Sequence, residues 1–180
     1  MPEFEPADLA RIKPSSFAGT AYRNQAPGFD PISGEGARRL GGRFNPPRSF
    51  PVIYLCASRP CVVAELMHLA TRQGVDVVDL LPRELWSIEM DLDRVLDLGE
   101  ADVRRRLHLE IEDLIRPDHS LTREIGEAAH DQRLQAIRSP SATGVDEILA
   151  VFTENLGGAT LKASLETRWT DSSDLPGPGD

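Results

Sequence analysis

Cysteine is nearly missing from this sequence: Cys56 and Cys61 are the two in 180 residues, too few for the disulfide framework of a small secreted domain. Long apolar runs are missing too, and nothing approaches the ~20 residues that a membrane helix needs. The N-terminal stretch MPEFEPADLARIKP is acidic and interrupted, unlike the continuous apolar segment of a signal peptide. These absences point to a reduced, cytoplasmic protein without membrane contact. No internal repeat and no interdomain linker is visible, and the chain length suits one domain with its own core.

A broad basic surface is also lacking. The net charge is −9, whereas a protein built to hold nucleic acid carries an extended positive face. The charge is uneven: residues 1–60 hold eight Arg and Lys against five Asp and Glu, and residues 61–180 hold twelve against twenty-four. The positive segment is almost all arginine: Arg23, Arg38, Arg39, Arg43, Arg48 and Arg59. Arginine suits planar, two-pronged contacts to phosphate, so a small phosphorylated ligand fits better than a polymer. Solvated charges balancing the acidic half are the alternative for any one of them.

Strands are expected at 17–23 (FAGTAYR), at 52–56 (VIYLC) and at 85–92, where Trp86, Ile88, Met90 and Leu92 alternate with polar residues. Pro60 suits the first turn of a helix running to about Arg72. Helical patterns follow at about 100–115 and 121–135, and QAIRS, EILAVF and ATLKASLETRW read as closing strands. Residues 24–50 are rich in Gly, Pro and Ser, and a loop of that length in a small domain is usually functional. Strands mixed with a few helices, without strict alternation, predict an α+β or mixed α/β domain. The organisation is an N-terminal extension at 1–16, partly ordered, a domain at 17–169, and a flexible tail at 170–180.

Several catalytic signatures are absent. There is no G-x-x-x-x-G-K-[ST] phosphate loop, no G-x-G-x-x-G opening a helix, and no G-x-S-x-G. Glu65 and His68 spell E-x-x-H, yet the second such motif of a di-iron bundle is missing, so no metal is expected. What remains is a carboxylate out of place: in CVVAELMHLA only Glu65 and His68 are polar. A helix apolar nearly all round is buried, and a buried carboxylate needs a partner or a ligand cleft. Either Glu65 pairs with His68 or reaches solvent, or it faces an enclosed site. Gly41-Gly42-Arg43-Phe44-Asn45-Pro46-Pro47 reads as a tight turn, or as a close backbone approach presenting Arg43 to a ligand. In Arg138-Ser139-Pro140-Ser141-Ala142 a serine serves a turn or offers its hydroxyl to a ligand.

The order of these signals resembles the RES domain, named for an arginine, a glutamate and a serine. The resemblance rests on Tyr22-Arg23, Gly41 to Pro47, Ile53-Tyr54-Leu55, Ala64-Glu65, Pro140-Ser141-Ala142 and VFTENL at 151–156. It spans roughly residues 17–160. Arg48 departs from the pattern, standing where a glycine is commonly found, and Ser141 is preferred to Ser139 because it follows the proline.

The resemblance implies an ADP-ribosyltransferase-like core of short packed β-sheets with surrounding helices. It implies a toxin that depletes NAD by hydrolysis or phosphorolysis of the nicotinamide–ribose bond, with protein ADP-ribosylation as an alternative outcome. A non-catalytic nucleotide- or partner-binding module is the competing class. The implied partner is an Xre-like helix-turn-helix antitoxin, with no direct nucleic-acid binding. No cofactor is implied beyond NAD as substrate and inorganic phosphate as an optional second substrate. Carried onto this chain, Glu65, Arg43 and Tyr54 are the catalytic candidates, and Arg23, Arg43, Tyr54, Ser141 and Asn45 the substrate-binding ones. Glu65 would stabilise positive charge on the ribose. Arg23 and Arg43 would hold pyrophosphate or incoming phosphate, Tyr54 would stack near the nicotinamide ribose, and Ser141 would hydrogen-bond that ribose or the amide.

Overall fold

In the computed structural model, which describes residues 3–177, six strands form one mixed sheet. They are β1 (Ser15–Gln25), β2 (Val52–Cys56), β3 (Arg83–Asp97), β4 (Ala136–Pro140), β5 (Glu147–Phe152) and β6 (Lys162–Trp169). Their order is β1-β2-β5-β4-β3-β6, and β1 also pairs with β3. The first five strands therefore close into a ring, with β6 added outside β3. The expected short packed sheets take this form: one sheet curls until opposite walls pack across an apolar interior.

Alternation explains the closure. Ala21, Ile53, Leu55, Ile88, Met90, Leu92, Val95, Ala136, Leu149 and Val151 form one buried cluster drawn from all five strands of the ring. Their neighbours point the other way, into a second cluster shared with the helices. Strand β3 runs five residues past the expected Leu92 because a new partner takes over: β1 pairs with Glu84–Leu92 and with Val95, β6 with Arg83–Glu89, and β4 in parallel with Val95–Asp97.

Helix α1 (Pro6–Leu9) and α2 (Glu35–Leu40) are short, and α3 (Arg59–Gln73) is the longest. Its start is fixed by Ser58, whose hydroxyl accepts from the Cys61 N–H at 3.3 Å, and by Pro60 in the first turn. Gly74 in left-handed conformation ends it. The single helical pattern expected over 100–115 is two helices, α4 (Ala101–Arg106) and α5 (Ile111–Ile115). The break falls at His108, at φ 58°, between the buried Leu107 and Leu109. Helix α6 (Ser120–Asp131) completes the layer.

The N-terminal residues, expected to be partly ordered, bury Phe4, Leu9 and Ile12 in the helix-side cluster. In the expected flexible tail, Leu175 packs against that same cluster and Asp171 caps a turn at Ser172–Asp174. The rest of that tail, residues 178–180, lies outside the described residues. Among the described residues no helix is long and apolar enough to cross a membrane.

Candidate active site

Strands β1 and β2 share one register pair, Tyr22 with Cys56. Beyond it the two strands splay: β1 continues with Arg23 and Asn24 while β2 leads back through Leu55 and Tyr54. The wedge between them is the cleft, about 980 Å³, at the top of the roughly 300–1,000 Å³ range of small-molecule sites. Arg23, Arg43, Tyr54 and Glu65 all line it. Four residues far apart in sequence thus meet in one cavity.

Glu65 enters from α3. Val62 and Leu66 beside it are buried in the core, while His68 is exposed. The expected alternative of a Glu65–His68 pair is not what forms. The carboxylate instead accepts a hydrogen bond from the Ser141 hydroxyl at 2.7 Å. Ser141 is itself buried, and its oxygen accepts from the Thr143 N–H at 3.1 Å and lies 2.7 Å from the Thr143 hydroxyl. Buried Ser141, backed by the half-buried Thr143, therefore fixes one oxygen of Glu65, a residue that lines the cleft. Ser139 is also buried but makes only a 3.4 Å contact to the carbonyl of Pro140. The geometry selects Ser141, and it places that hydroxyl behind the carboxylate rather than on the cleft wall.

Tyr54 lines the cleft and turns its hydroxyl into the protein. The phenol accepts from the Phe44 N–H and donates to Asn45 Oδ1, each at 2.8 Å. Burial pushes its pKa up, against the smaller pull of the Phe44 N–H and Arg43, so it stays a neutral phenol. Asn45 is fully buried and does not line the cleft; its amide also donates to the Ala37 carbonyl at 2.7 Å. It ties the G-G-R-F-N turn to α2. A Cβ at Gly42 would sit 2.6 Å from both Cε2 and the hydroxyl oxygen of Tyr54, so that position has room only for glycine.

Arg43 is anchored by one N–H to the Leu114 carbonyl at 2.6 Å. Burial lowers its pKa, while the charge of Glu65 works in the opposite direction. Arg23 donates to the Pro31 carbonyl at 2.9 Å, and its Nε is buried with no partner. Burial first and the Arg83 charge second bring Arg23 down to about 10, still cationic at neutral pH. Such a buried, under-partnered guanidinium aimed at a cleft is suited to an anion.

Of the other arginines singled out by sequence, Arg39 lines the cleft. Arg38 pairs with Glu35, and Arg59 pairs with Glu166 at 2.7 Å while lying over the Tyr22 ring at 4.6 Å. Sequence reasoning missed four basic residues of the wall: Arg72, Arg83, His119 and Arg123. Arg72 carried a signal, since it lies seven residues after Glu65, two turns along the same face of α3. The others sit in ordinary polar contexts. In sum six arginines and three carboxylates, Asp30, Glu35 and Glu65, line the cavity, so it is positive inside an acidic protein.

The buried cysteines do not supply a nucleophile. The Cys56 thiol is pushed up by its hydrogen bond with Cys61 and then by burial, which suppresses the thiolate. Among the described residues no group of three or more His, Cys, Asp or Glu is placed to hold a metal ion. The arrangement is that of a carboxylate with an anion-binding wall, suited to stabilising positive charge on a substrate that carries phosphate.

Known proteins resemble the chain in sequence and in fold. A model of the family described as RES domain matches residues 13–171. Proteins named NAD(+) phosphorylase MbcT, from Mycobacterium bovis and Mycobacterium tuberculosis, are each 34% identical over 151 residues, covering 82% of this chain and 81% of the relative. A chain in the crystal structure of the M. tuberculosis MbcT–MbcA toxin–antitoxin complex superposes with a TM-score of 0.75 at 27% identity, covering 90% of this chain and 91% of that one.

Proposed function

The chain belongs to the RES domain family, and on that premise we propose that it is a toxin enzyme that depletes NAD by breaking the nicotinamide–ribose bond. The observation that carries the proposal is the Glu65 carboxylate, held by buried Ser141 and facing an arginine-lined cleft. The name of the MbcT relatives, NAD(+) phosphorylase, supports the same bond and favours phosphate as acceptor.

Nicotinamide in NAD is already cationic. When the C1′–N1 bond breaks, its electron pair leaves on the ring nitrogen and the base departs neutral, so no general acid is needed. Positive charge develops on the ribose, and Glu65 stabilises it. The acceptor oxygen then bonds to C1′. Hydrogen phosphate dianion gives ADP-ribose 1″-phosphate with no proton left over; water gives ADP-ribose and one proton, which Glu65 is placed to accept. Ser141 keeps the carboxylate oriented. Tyr54 supplies a flat wall for the nicotinamide ribose, with Asn45 holding the phenol from behind. Arg23 and Arg43 bind the anionic groups.

An enzyme that consumes NAD harms its own cell, and the solved relative comes from a toxin–antitoxin complex. We assign this chain an antitoxin partner of the Xre-like helix-turn-helix type and a cytoplasmic site of action. The test is incubation of the purified, partner-free protein with NAD, with and without phosphate, followed by chromatography. Free nicotinamide with ADP-ribose or its 1″-phosphate is expected, and intact NAD would refute the proposal. Glu65→Gln should keep NAD affinity and lose turnover by about 100-fold or more; undiminished turnover would remove Glu65 from this role.

A further inference from the structure

The positive wall is not uniform. The charges that act on Arg23 are those of Arg83 and Asp30, and Arg83 reaches β1 through Asn24 at 2.7 Å. Arg123 Nε donates to the Gly42 carbonyl at 3.0 Å, which sets it beside Arg43, and His119 caps the same helix, α6. Arg72 lies on α3 two turns beyond Glu65. One pole lies where β1 meets β3; the other is assembled from the G-G-R-F-N turn, the end of α3 and the start of α6, beside the carboxylate.

We infer that the second pole, formed by Arg43, Arg72, Arg123 and His119, binds the inorganic phosphate that attacks the ribose, whereas Arg23 and Arg83 take the pyrophosphate of NAD. This rests on the NAD-cleaving reading above. The covalent structure of the substrate decides between the poles. An attacking oxygen must lie about 3–3.5 Å from C1′, hence next to the carboxylate that stabilises C1′. The pyrophosphate is tethered through C4′ and C5′ and must lie further away. The second pole shares α3 with Glu65 through Arg72.

The side chains there are built for an incoming anion. Arg43 and Arg123 each give one N–H to a backbone carbonyl, of Leu114 at 2.6 Å and of Gly42 at 3.0 Å. That fixes each fork, and among the described residues neither has a carboxylate within ion-pair distance. Among the described residues the Arg72 side chain has no hydrogen-bond or ion-pair partner, and it stands exposed at the cleft edge. His119 lines the same part of the cleft, and burial, then the charges of Arg43, Arg123 and Arg72, lower its pKa.

Arg72→Gln, Arg123→Gln and Arg83→Gln test the division, each checked by thermal melting. Kinetics are run with NAD and inorganic phosphate varied separately at constant ionic strength. Arg72→Gln and Arg123→Gln should each raise the KM for phosphate about tenfold while the KM for NAD stays within about threefold. Arg83→Gln should do the reverse. In a separate arm without NAD, phosphate should raise the Tm of the wild type and not that of Arg72→Gln, which alters an exposed residue and should fold. A rise in the KM for NAD alone in the Arg72 and Arg123 variants would make this pole the pyrophosphate site and overturn the inference. Nicotinamide release that ignores phosphate, with no phosphate-dependent rise in Tm, would overturn it while leaving NAD cleavage standing. Phosphate binding at this pole with NAD left intact would sink the NAD reading instead.

Discussion

Gly126→Ala tests the joint on which the site depends. Gly126 lies in α6 against the backbone of Phe44, and an added Cβ would stand 1.7 Å from the Phe44 carbonyl oxygen and 2.5 Å from its carbon. Non-bonded carbon and oxygen need about 3.2 Å, so helix and turn would have to part by about 1.5 Å in an interior packed to crystal density. Neither side yields readily. The turn is held by the Phe44 N–H on Tyr54, by Gly42 N–H on the Asn45 carbonyl at 2.9 Å, and by Asn45 on Ala37. The helix is held by buried Thr122, Ile125, Ala128 and Ala129. Overpacking costs about 1–3 kcal/mol, and a collision with a tethered carbonyl belongs at the top of that range. At about 2–4 °C per kcal/mol for a chain of this size, the melting temperature should fall by about 6–12 °C. Arg43 is the next residue in the turn, and a 1 Å misplacement in an active site costs about 100-fold in rate. Circular-dichroism melting and NAD turnover well below the melting temperature would measure both. Gly158→Ala, whose Cβ would meet nothing within 4 Å, is the control. A Gly126→Ala protein with the control's melting temperature and wild-type turnover would show that the helix and turn do not touch as described.

Ser141→Ala removes the bond that orients Glu65, a hydrogen bond to a charged group worth about 1.5–3 kcal/mol. The kcat should fall about 10–100-fold with little change in the KM for NAD, while Ser139→Ala stays within about twofold; equal effects of the two variants would deny Ser141 its special place. Arg48 adopts φ 55°, a left-handed conformation costing a non-glycine residue about 1–2 kcal/mol, partly offset by the extra chain entropy a glycine loses. Arg48→Gly should therefore raise the melting temperature by about 1–4 °C without altering turnover, and a lower one would contradict the backbone geometry at that turn.

The alternation through Trp86, Ile88, Met90 and Leu92 reveals a strand because period two is a local property. Its continuation to Asp97 is invisible locally, since Val95, Leu96 and Asp97 are kept extended by parallel pairing with the distant strand β4. The break between α4 and α5 is equally hidden: no Gly or Pro marks it, and His108 turns left-handed so that Leu107 and Leu109 can both be buried. At the site, Glu65 is conspicuous because a carboxylate among apolar residues conflicts with its surroundings. Arg123 and His119 conflict with nothing in theirs, so only the packing of α6 on the G-G-R-F-N turn brings them to the cleft. Asn45 belongs to the motif, and the sequence does not tell a residue that touches ligand from one that braces Tyr54.

Two features of the G-G-R-F-N turn now have one cause. It must be thin, because Gly42 lies under Tyr54 and Phe44 lies against Gly126, and it must be rigid, because Arg43 follows directly. Small residues on both flanking surfaces bring α6 close enough for Arg123 to reach the Gly42 carbonyl. The same closeness brings His119 and Arg123 within electrostatic reach of each other and of Arg43. The packing that fixes the turn thereby also concentrates positive charge beside Glu65. A bulkier residue at either glycine would disturb the scaffold and the charge arrangement together, so stability and turnover should fall in step along a series of substitutions at Gly42 or Gly126, whereas changes at Arg72 should alter turnover with the fold intact.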